Sequence, residues 1–486
     1  MKKFVSVMLS ILMIVSLAAC GVGSTEQGPA NDGAGNAANG EVAATGESAF
    51  KVGFGVVDIT PNGSVSMSGY GDHNTRFSEG FITRLEARCL AVIDENDEKL
   101  LLITVDISFA YPAQTLQAIK KVEKKLGIPQ DHIVVSGTHT HNSVATWMTS
   151  VPGVVEFNNQ YVEGILESAT IALEDAKPAQ MYLGSVMTEN LNFVRRYYMD
   201  DGSLVGDGTY GTGTTIVSHE SDADGEMQLM KFVREGGKDI LVAQFQAHPH
   251  LEGKSNNLSA QTPATFRNYM EDTKDIYCLY WNGAGGNINS KSRIDSENRT
   301  SNQNEYGKLL GDYAIEAYDT LTPAKTGPIK VVGMDFKGKV NHTEHDKISD
   351  AQKVVDYFNE CNDATKTAQY GAQFGVHTLQ HANRIIANSK LGETSNLTLF
   401  AWSFGDASGV VAEYEMFDTN GMEIKTGTPF ERTFIICYSY PACQGYVASA
   451  LGYQNGGYEV DNGTFAPGTG EELVEAYLGM LNELKG

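Results

Sequence analysis

Beyond its first twenty residues the sequence has no apolar run approaching the ~18 to 20 residues that a membrane-spanning helix needs, so nothing in its body reads as embedded in a bilayer. Positive charge is also scarce. Only 36 Lys and Arg stand against 60 Asp and Glu, and the formal net charge is −24. That balance argues against nucleic acid or an anionic membrane surface as a partner. The 6 cysteines contain no CxxC pair, so they define no framework of their own. No internal repeat is present, and the glycine-rich stretch 283–286 matches neither a Walker nor a Rossmann fingerprint, which leaves a close turn as its reading.

The one long apolar run lies at the N-terminus. Lys2 and Lys3 precede an apolar stretch over 4–19 that ends in Leu17-Ala18-Ala19-Cys20. A basic start, an apolar core and small residues at the cut site describe a secretory signal peptide. The residues before Cys20 match the bacterial lipobox, so residues 1–20 are expected to be a lipoprotein signal peptide and Cys20 the lipidated new N-terminus. The rival is an ordinary signal peptide with an incidental cysteine. Residues 21–49 are Gly, Ala, Asn, Ser and Glu with almost no large apolar side chain, a composition that cannot offset its ordering entropy and reads as a flexible linker. The expected location is outside the cytoplasm, held at the cell membrane by the lipid anchor alone. A monomer is expected.

From residue 50 onward, strand and helix signals alternate. Strand-like stretches occupy 50–59, 83–93, 99–108, 132–136, 227–232, 240–246, 276–281, 397–402, 410–412 and 433–438. Helical spacing covers 112–126, stopping at Gly127, and then 160–176, 265–273, 304–320 and 471–484. Residues 348–389, rich in Ala, Gln and Asn, read as a helical insertion on the domain's edge. The fold class expected is α/β: a mixed sheet core covered by helices, in one large catalytic domain over 50–486. Cys89, Cys278 and Cys437 sit in apolar strand-like runs and are expected to pack as small hydrophobes. A bond between Cys437 and Cys443 is possible but not indicated.

Chemistry concentrates in two histidine pairs. His139 and His141 follow one strand as Ser136-Gly137-Thr138-His139-Thr140-His141, and His248 and His250 follow another as Ala247-His248-Pro249-His250. Residues two apart in extended chain point to the same side, so each pair faces one space. Strand ends of this kind are where α/β sheets build sites, and imidazole suits zinc. One such pair alone is more often a hydrogen-bonded structural feature; two at strand ends favour a metal site.

The sequence resembles the neutral (alkaline, non-lysosomal) ceramidase family, as a shortened bacterial relative matching its N-terminal catalytic domain. The resemblance is carried by Val52-Gly53-Phe54-Gly55-Val56-Val57-Asp58-Ile59-Thr60-Pro61, by Met67-Ser68-Gly69-Tyr70 and by Arg84-Leu85-Glu86-Ala87-Arg88. The motif Gly137-Thr138-His139-Thr140-His141, the stretch Phe245-Gln246-Ala247-His248-Pro249, Val411-Ala412-Glu413 and Gln444-Gly445-Tyr446-Val447 continue it, and Gly456-Gly457-Tyr458-Glu459-Val460 closes it. The resemblance implies one zinc ion with His139, His248, Glu413 and Tyr446 as ligands. It places His141 beside the metal as a catalytic or substrate-contacting group, and Arg195 at a substrate-site arginine with an ambiguity against Arg196. His250 has no counterpart and is expected to be structural.

Two departures qualify the substrate. Asn289 stands where the family has the serine of its Gly-Asp-x-Ser-Pro motif, with Ser290 one step out of register; a one-residue slip reverses a side chain's direction. Asn289 is therefore expected to orient substrate, and Ser290 to be a bystander. The sequence also ends soon after the Gly-Tyr-Glu-Val region, so the family's C-terminal immunoglobulin-like domain is not expected, which weakens the transfer of ceramide itself. The function expected is a zinc-dependent hydrolase cleaving the amide of an N-acyl, ceramide-like lipid or small molecule by metal-bound hydroxide, within sphingolipid-type metabolism. The rivals are a zinc hydrolase of another amide or an ester, and an inactive binding lipoprotein on the cell surface.

Overall fold

A computed structural model describes residues 50–441 and 444–486. The expectations for the signal peptide, Cys20, the linker and Cys443 lie outside the described residues. Those described form two stacked sheets with helices on both outer faces. The larger, nine-stranded sheet runs in the order Tyr277–Asn282, Ile240–Phe245, Glu226–Arg234, Lys177–Met187, Lys51–Asp58, Glu86–Ile93, Lys99–Val105, Ile133–Gly137, with Thr322–Ala324 pairing beside Lys177–Met187. Only the outermost pairs, Ile240–Phe245 with Tyr277–Asn282 and Lys99–Val105 with Ile133–Gly137, are parallel; the other neighbours are antiparallel. The mixed α/β class expected from the sequence is the one observed.

Burial on both faces explains why these strands read as continuous apolar runs. Along Lys99–Val105, Leu101, Ile103 and Val105 face the helices Pro112–Leu126 and Pro152–Glu174, while Leu100 and Leu102 face the second sheet. On Lys51–Asp58, Val52 and Phe54 enter the space between the sheets, and the alternate residues are glycines. A Cβ on Gly53 would lie 1.9 Å from the Ala172 carbonyl oxygen. Helix Pro152–Glu174 therefore rests directly on that strand's backbone. The four-stranded sheet, in the order Ile329–Lys339, Thr394–Phe404, Ala407–Val411, Arg432–Ile436, contributes Trp402, Phe404, Phe434 and Ile436 to the same layer. Each such side chain fully buried contributes roughly 1.5–3 kcal/mol. Its far face is covered by helix Thr469–Lys485 through Leu473, Tyr477 and Leu481. Helices Gln261–Lys274 and Gln303–Tyr318 cover the opposite end of the large sheet through Phe266, Met270 and Leu310.

One connection positions the site. The segment after Arg432–Ile436 bonds both ends of the nine-stranded sheet: the Cys437 N–H donates to the Asn282 carbonyl at 3.3 Å, and the Tyr440 N–H to the Val135 carbonyl at 3.0 Å. Strands at opposite ends of the order are thereby drawn to a common segment, and the loops leaving them meet over it.

Helix Pro152–Glu174 starts a full two turns before the stretch read from spacing, with Pro152 in its first turn, a position where the missing N–H costs nothing. Lys177–Met187 and Ile329–Lys339 are strands that the sequence reading did not include. Residues 348–388 fold as three helices, Ile348–Cys361, Ala364–Ala372 and Leu379–Asn388, around Ala351, Val354, Val376, Ala382 and Ile385. Cys89, Cys278 and Cys437 are buried thiols. No helix among the described residues is long and apolar enough to cross a membrane.

Candidate active site

The Gly137-Thr138-His139-Thr140-His141 segment divides its side chains by parity. Thr138 donates to Asp106 at 3.1 Å, itself paired with Arg267 at 2.8 Å, and Thr140 bonds the Ser259 carbonyl and Gln261. His139 and His141 take the other side, with their Nε2 atoms 3.3 Å apart. His139 sits in the left-handed region at φ 64°, a strain of about 1–3 kcal/mol for a non-glycine residue. Bonds from the Gly137 and His139 N–H groups to the Tyr438 and Ile107 carbonyls, both 3.0 Å, hold it there. The loop must also admit Gly69, at φ 114°, whose Cβ would fall 2.3 Å from the His141 carbonyl oxygen.

The second pair arrives from the other end of the sheet. The His139 and His248 ring centroids lie 4.6 Å apart, and Tyr438 stacks on His139 at 3.8 Å. Each ring is pinned through one nitrogen. His139 Nδ1 donates to the Ser108 carbonyl at 2.9 Å, and His248 Nδ1 donates to the Gly285 carbonyl at 2.9 Å with Ile288 at 3.1 Å. A carbonyl accepts only, so both Nδ1 atoms carry hydrogen and each neutral ring turns its Nε2 lone pair inward. Burial, then Arg195 and neighbouring histidines, keeps the rings neutral: His139 is pushed down to about 3, and His141 and His248 well below their ordinary value.

The carboxylate facing these lone pairs is Glu415, which corrects the expectation for Glu413. Glu415 Oε2 lies 3.2 Å from His248 Nε2 and 3.5 Å from His139 Nε2. Glu413 instead accepts from the Thr398 N–H at 2.6 Å. A bend at residues 413–414 breaks the strand between Ala407–Val411 and Glu415–Met416, so the acid matched by motif register is not the one delivered to the pocket. Glu415 pairs in parallel register with Tyr446, the expected tyrosine. Burial pushes the Glu415 carboxyl up to about 8 against the opposing charge of Arg195.

This donor set fits a zinc-class cation. Two imidazole lone pairs, a carboxylate and a phenol converge, and Glu415 Oε2 is buried with no hydrogen-bond partner. A buried carboxylate oxygen without a donor is costly unless a positive charge meets it. His139, His141 and His248 together have ligand atoms within 4.8 Å of one another.

Around this centre, Arg195 and Arg196 separate. Arg195 lines the cavity, donating to Tyr446 Oη at 3.1 Å and pairing with Asp207 at 3.1 Å and Glu459 at 2.8 Å. Burial opposes its charge, but Asp207, Tyr446 and Glu459 outweigh that and hold it fully ionised. Arg196 points into the scaffold, to Glu220, Glu459 and the Gly456 carbonyl. Asn289 does not line the cavity but reaches it indirectly, accepting from Arg195 at 3.4 Å. The Ser290 hydroxyl is buried without a partner and also lies outside the lining. His250 lines the cavity beside His141, with ring centroids 5.1 Å apart; its structural expectation did not anticipate this. The cavity measures about 660 Å³, with Tyr70, Phe109, Tyr111 and Trp147 as an aromatic wall. Besides Glu415, sequence reasoning missed Asp207, Glu459 and Tyr438; of these only Glu459 lay inside a matched motif, Gly456-Gly457-Tyr458-Glu459-Val460.

The fold and site together define an α/β protein in which distant strands of one sheet bring paired histidines and a glutamate to a single buried pocket. Residues 50–260 match the family model described as neutral/alkaline non-lysosomal ceramidase, N-terminal. Over that region the chain is similar to the neutral/alkaline ceramidase family. It is 23% identical to neutral ceramidase 2 of Arabidopsis thaliana over 258 residues, covering 50% of this chain and 32% of that protein. With neutral ceramidase A of Dictyostelium discoideum it shares 24% over 159 residues, 30% of this chain and 22% of that one. The aligned regions thus span about a third or less of these relatives' lengths. The crystal structure of neutral ceramidase from Pseudomonas aeruginosa superposes with a TM-score of 0.67 at 16% identity, over 90% of this chain and 74% of that one, which establishes the shared fold.

Proposed function

We propose that this protein is a zinc-dependent hydrolase that cleaves the amide bond of an N-acyl, ceramide-like substrate, with His139, His248, Glu415 and Tyr446 as the metal's ligands. The observation that carries the reading is the convergence of two inward-turned Nε2 lone pairs on the unpartnered Oε2 of Glu415. Zinc bound there would supply Lewis-acid activation of water and of the scissile carbonyl.

The chain's own groups do the rest. Arg195, held by Asp207 and Glu459 with one nitrogen on Tyr446, steadies negative charge developing on the carbonyl oxygen, and its fixed partners spare it any rearrangement during reaction. His141 stands 3.3 Å from His139, and its Nδ1 is buried without a partner. It is the group placed to carry a proton to the leaving amine. Asn289 positions Arg195, so no serine nucleophile is required. The aromatic wall of the cavity offers an apolar surface for the acyl chain. Anchoring through lipidated Cys20 belongs to the same proposal; Cys20→Ser should release the protein from the membrane fraction, and equal retention would remove the anchor.

The test is hydrolysis of a panel of N-acyl substrates by purified protein with and without chelator, alongside elemental analysis. Chelator-sensitive amide cleavage restored by Zn2+ is the expected result. Cleavage unaffected by complete metal removal would overturn the reading, and cleavage of esters alone would move it to another bond.

A further inference from the structure

A second histidine cluster lies in the helical insertion. His377, two residues before helix Leu379–Asn388, and His381, in its first turn, place their ring centroids 5.4 Å apart. Thr378 caps the helix, accepting from the His381 N–H at 3.0 Å. Asp461, at the end of helix Tyr458–Asp461, places Oδ2 at 2.7 Å from His377 Nδ1 and 3.5 Å from His381 Nδ1. These ligand atoms all lie within 4.8 Å of one another.

The hydrogen bonds set the rings. His381 Nε2 meets Glu344 Oε2 at 2.7 Å, and a carboxylate accepts, so that nitrogen carries hydrogen. The His377 backbone N–H donates to His381 Nδ1 at 3.2 Å, which identifies Nδ1 as the lone-pair side. His377 Nδ1 donates to Asp461 Oδ2 at 2.7 Å, so a cation taken up between the rings and the carboxylate would displace that proton. A carboxylate bonded to the outer nitrogen of a ligating histidine is the support that metal-binding imidazoles ordinarily have. Lys347 holds the other oxygen of Glu344 at 2.7 Å and so fixes that support. A cavity of about 20 Å³ lined by Glu344 and Asp461, with Arg384 also on its wall, adjoins the cluster.

We propose that His377, His381 and Asp461 form a second binding site for a zinc-class divalent cation, with Glu344 orienting His381. Two imidazoles and one carboxylate are donors of the borderline kind such ions take. The site joins the insertion to the scaffold of the main cavity. Asp461 lies two residues beyond Glu459, which bonds Arg195 and Arg196, and Thr378, Gln380 and Arg384 line the main cavity. A cation here fixes that wall. The inference does not depend on the activity proposed above.

The test uses the full chain, stripped with chelator and then titrated with Zn2+, or with Co2+ for its visible absorption. Wild type should take up two equivalents, H377N one, and H139A/H248A one. Zn2+ should raise the melting temperature of H139A/H248A but not of that variant carrying H377N as well. D461N reads the same loss through a different ligand, should H377N fold poorly. One equivalent in both wild type and H377N would overturn the site, as would two equivalents in both. If H139A/H248A and wild type bind equally, it is the main-site assignment that fails, and H377N still reads the second site separately. An imidazolium at His381, seen by nitrogen NMR in metal-saturated protein, would mean that a proton rather than a cation fills the gap.

Discussion

The two histidine clusters follow one rule and differ in what enforces it. In both, one ring nitrogen is tied outward and the other turns toward a carboxylate. At His139 and His248 the outer ties are backbone carbonyls, Ser108 and Gly285, on loops leaving a sheet buried on both faces. At His381 the tie is the side chain of Glu344, from a turn before a half-exposed insertion, and its own partner is Lys347. Backbone carbonyls cannot titrate or change rotamer, so the first cluster is held in one geometry, as chemistry requires. The second can yield when its carboxylate does. That suits a fastening between segments better than a reaction centre.

The largest effect should come from breaking the first cluster at its carboxylate. Glu415→Gln should lower kcat/KM on any substrate the wild type cleaves by about 1,000-fold, about 4 kcal/mol of transition-state stabilisation, with the circular dichroism spectrum unchanged. Glu413→Gln, two residues away, should stay within about threefold of wild type. Equal losses in both would erase the distinction drawn between them.

Next comes Arg195. Arg195→Lys keeps the charge but removes the planar fork that holds Tyr446, Asp207 and Glu459 at once, and kcat should fall about 100-fold with KM little changed. A change confined to KM would make Arg195 a ground-state contact. Asn289→Ala, which acts through Arg195, should cost about tenfold, whereas Ser290→Ala should keep most activity. A Ser290→Ala protein that is inactive with normal metal content would point to a nucleophilic serine instead.

The smallest effect is on stability. Glu86 sits between Arg88 and Arg267, beside the Asp106 that steadies Thr138. Burial alone would raise its pKa, but the two arginines outweigh burial and lower it from 4.5. A lowered carboxyl stabilises the fold above its unfolded value, and that contribution fades as pH falls through the folded one. Glu86→Gln should therefore lower the melting temperature by roughly 2 °C at neutral pH and by less near pH 3.5. A deficit that grows in acid would contradict this sign.

Much of the first cluster was legible because its signals are local. Alternation two apart places His139 and His141 on one side, and the helix over Pro112–Leu126 and its stop at Gly127 follow from spacing and glycine alone. What was not legible depends on distance or on broken regularity. Glu415 was missed because the bend at 413–414 defeats any count along the strand. Lys177–Met187 and Ile329–Lys339 carry Pro, Gln, Gly and Lys and leave much of one face in solvent, so neither shows an apolar run. The meeting of the two histidine pairs needs the 437–440 segment, which bonds both ends of the large sheet. The second cluster hid for the same reason: its carboxylates, Glu344 and Asp461, come from either side of the insertion and more than a hundred residues apart in sequence.

The central claim is that His139, His248 and Glu415 hold a catalytic cation, and metal content and amide hydrolysis measured on the same preparations test it most directly. His248→Ala should lose one equivalent of zinc and its activity together while remaining folded, and Glu413→Gln should lose neither. A His248→Ala protein that keeps full metal content, or one that loses the ion and still hydrolyses its substrate at the wild-type rate, would contradict the account.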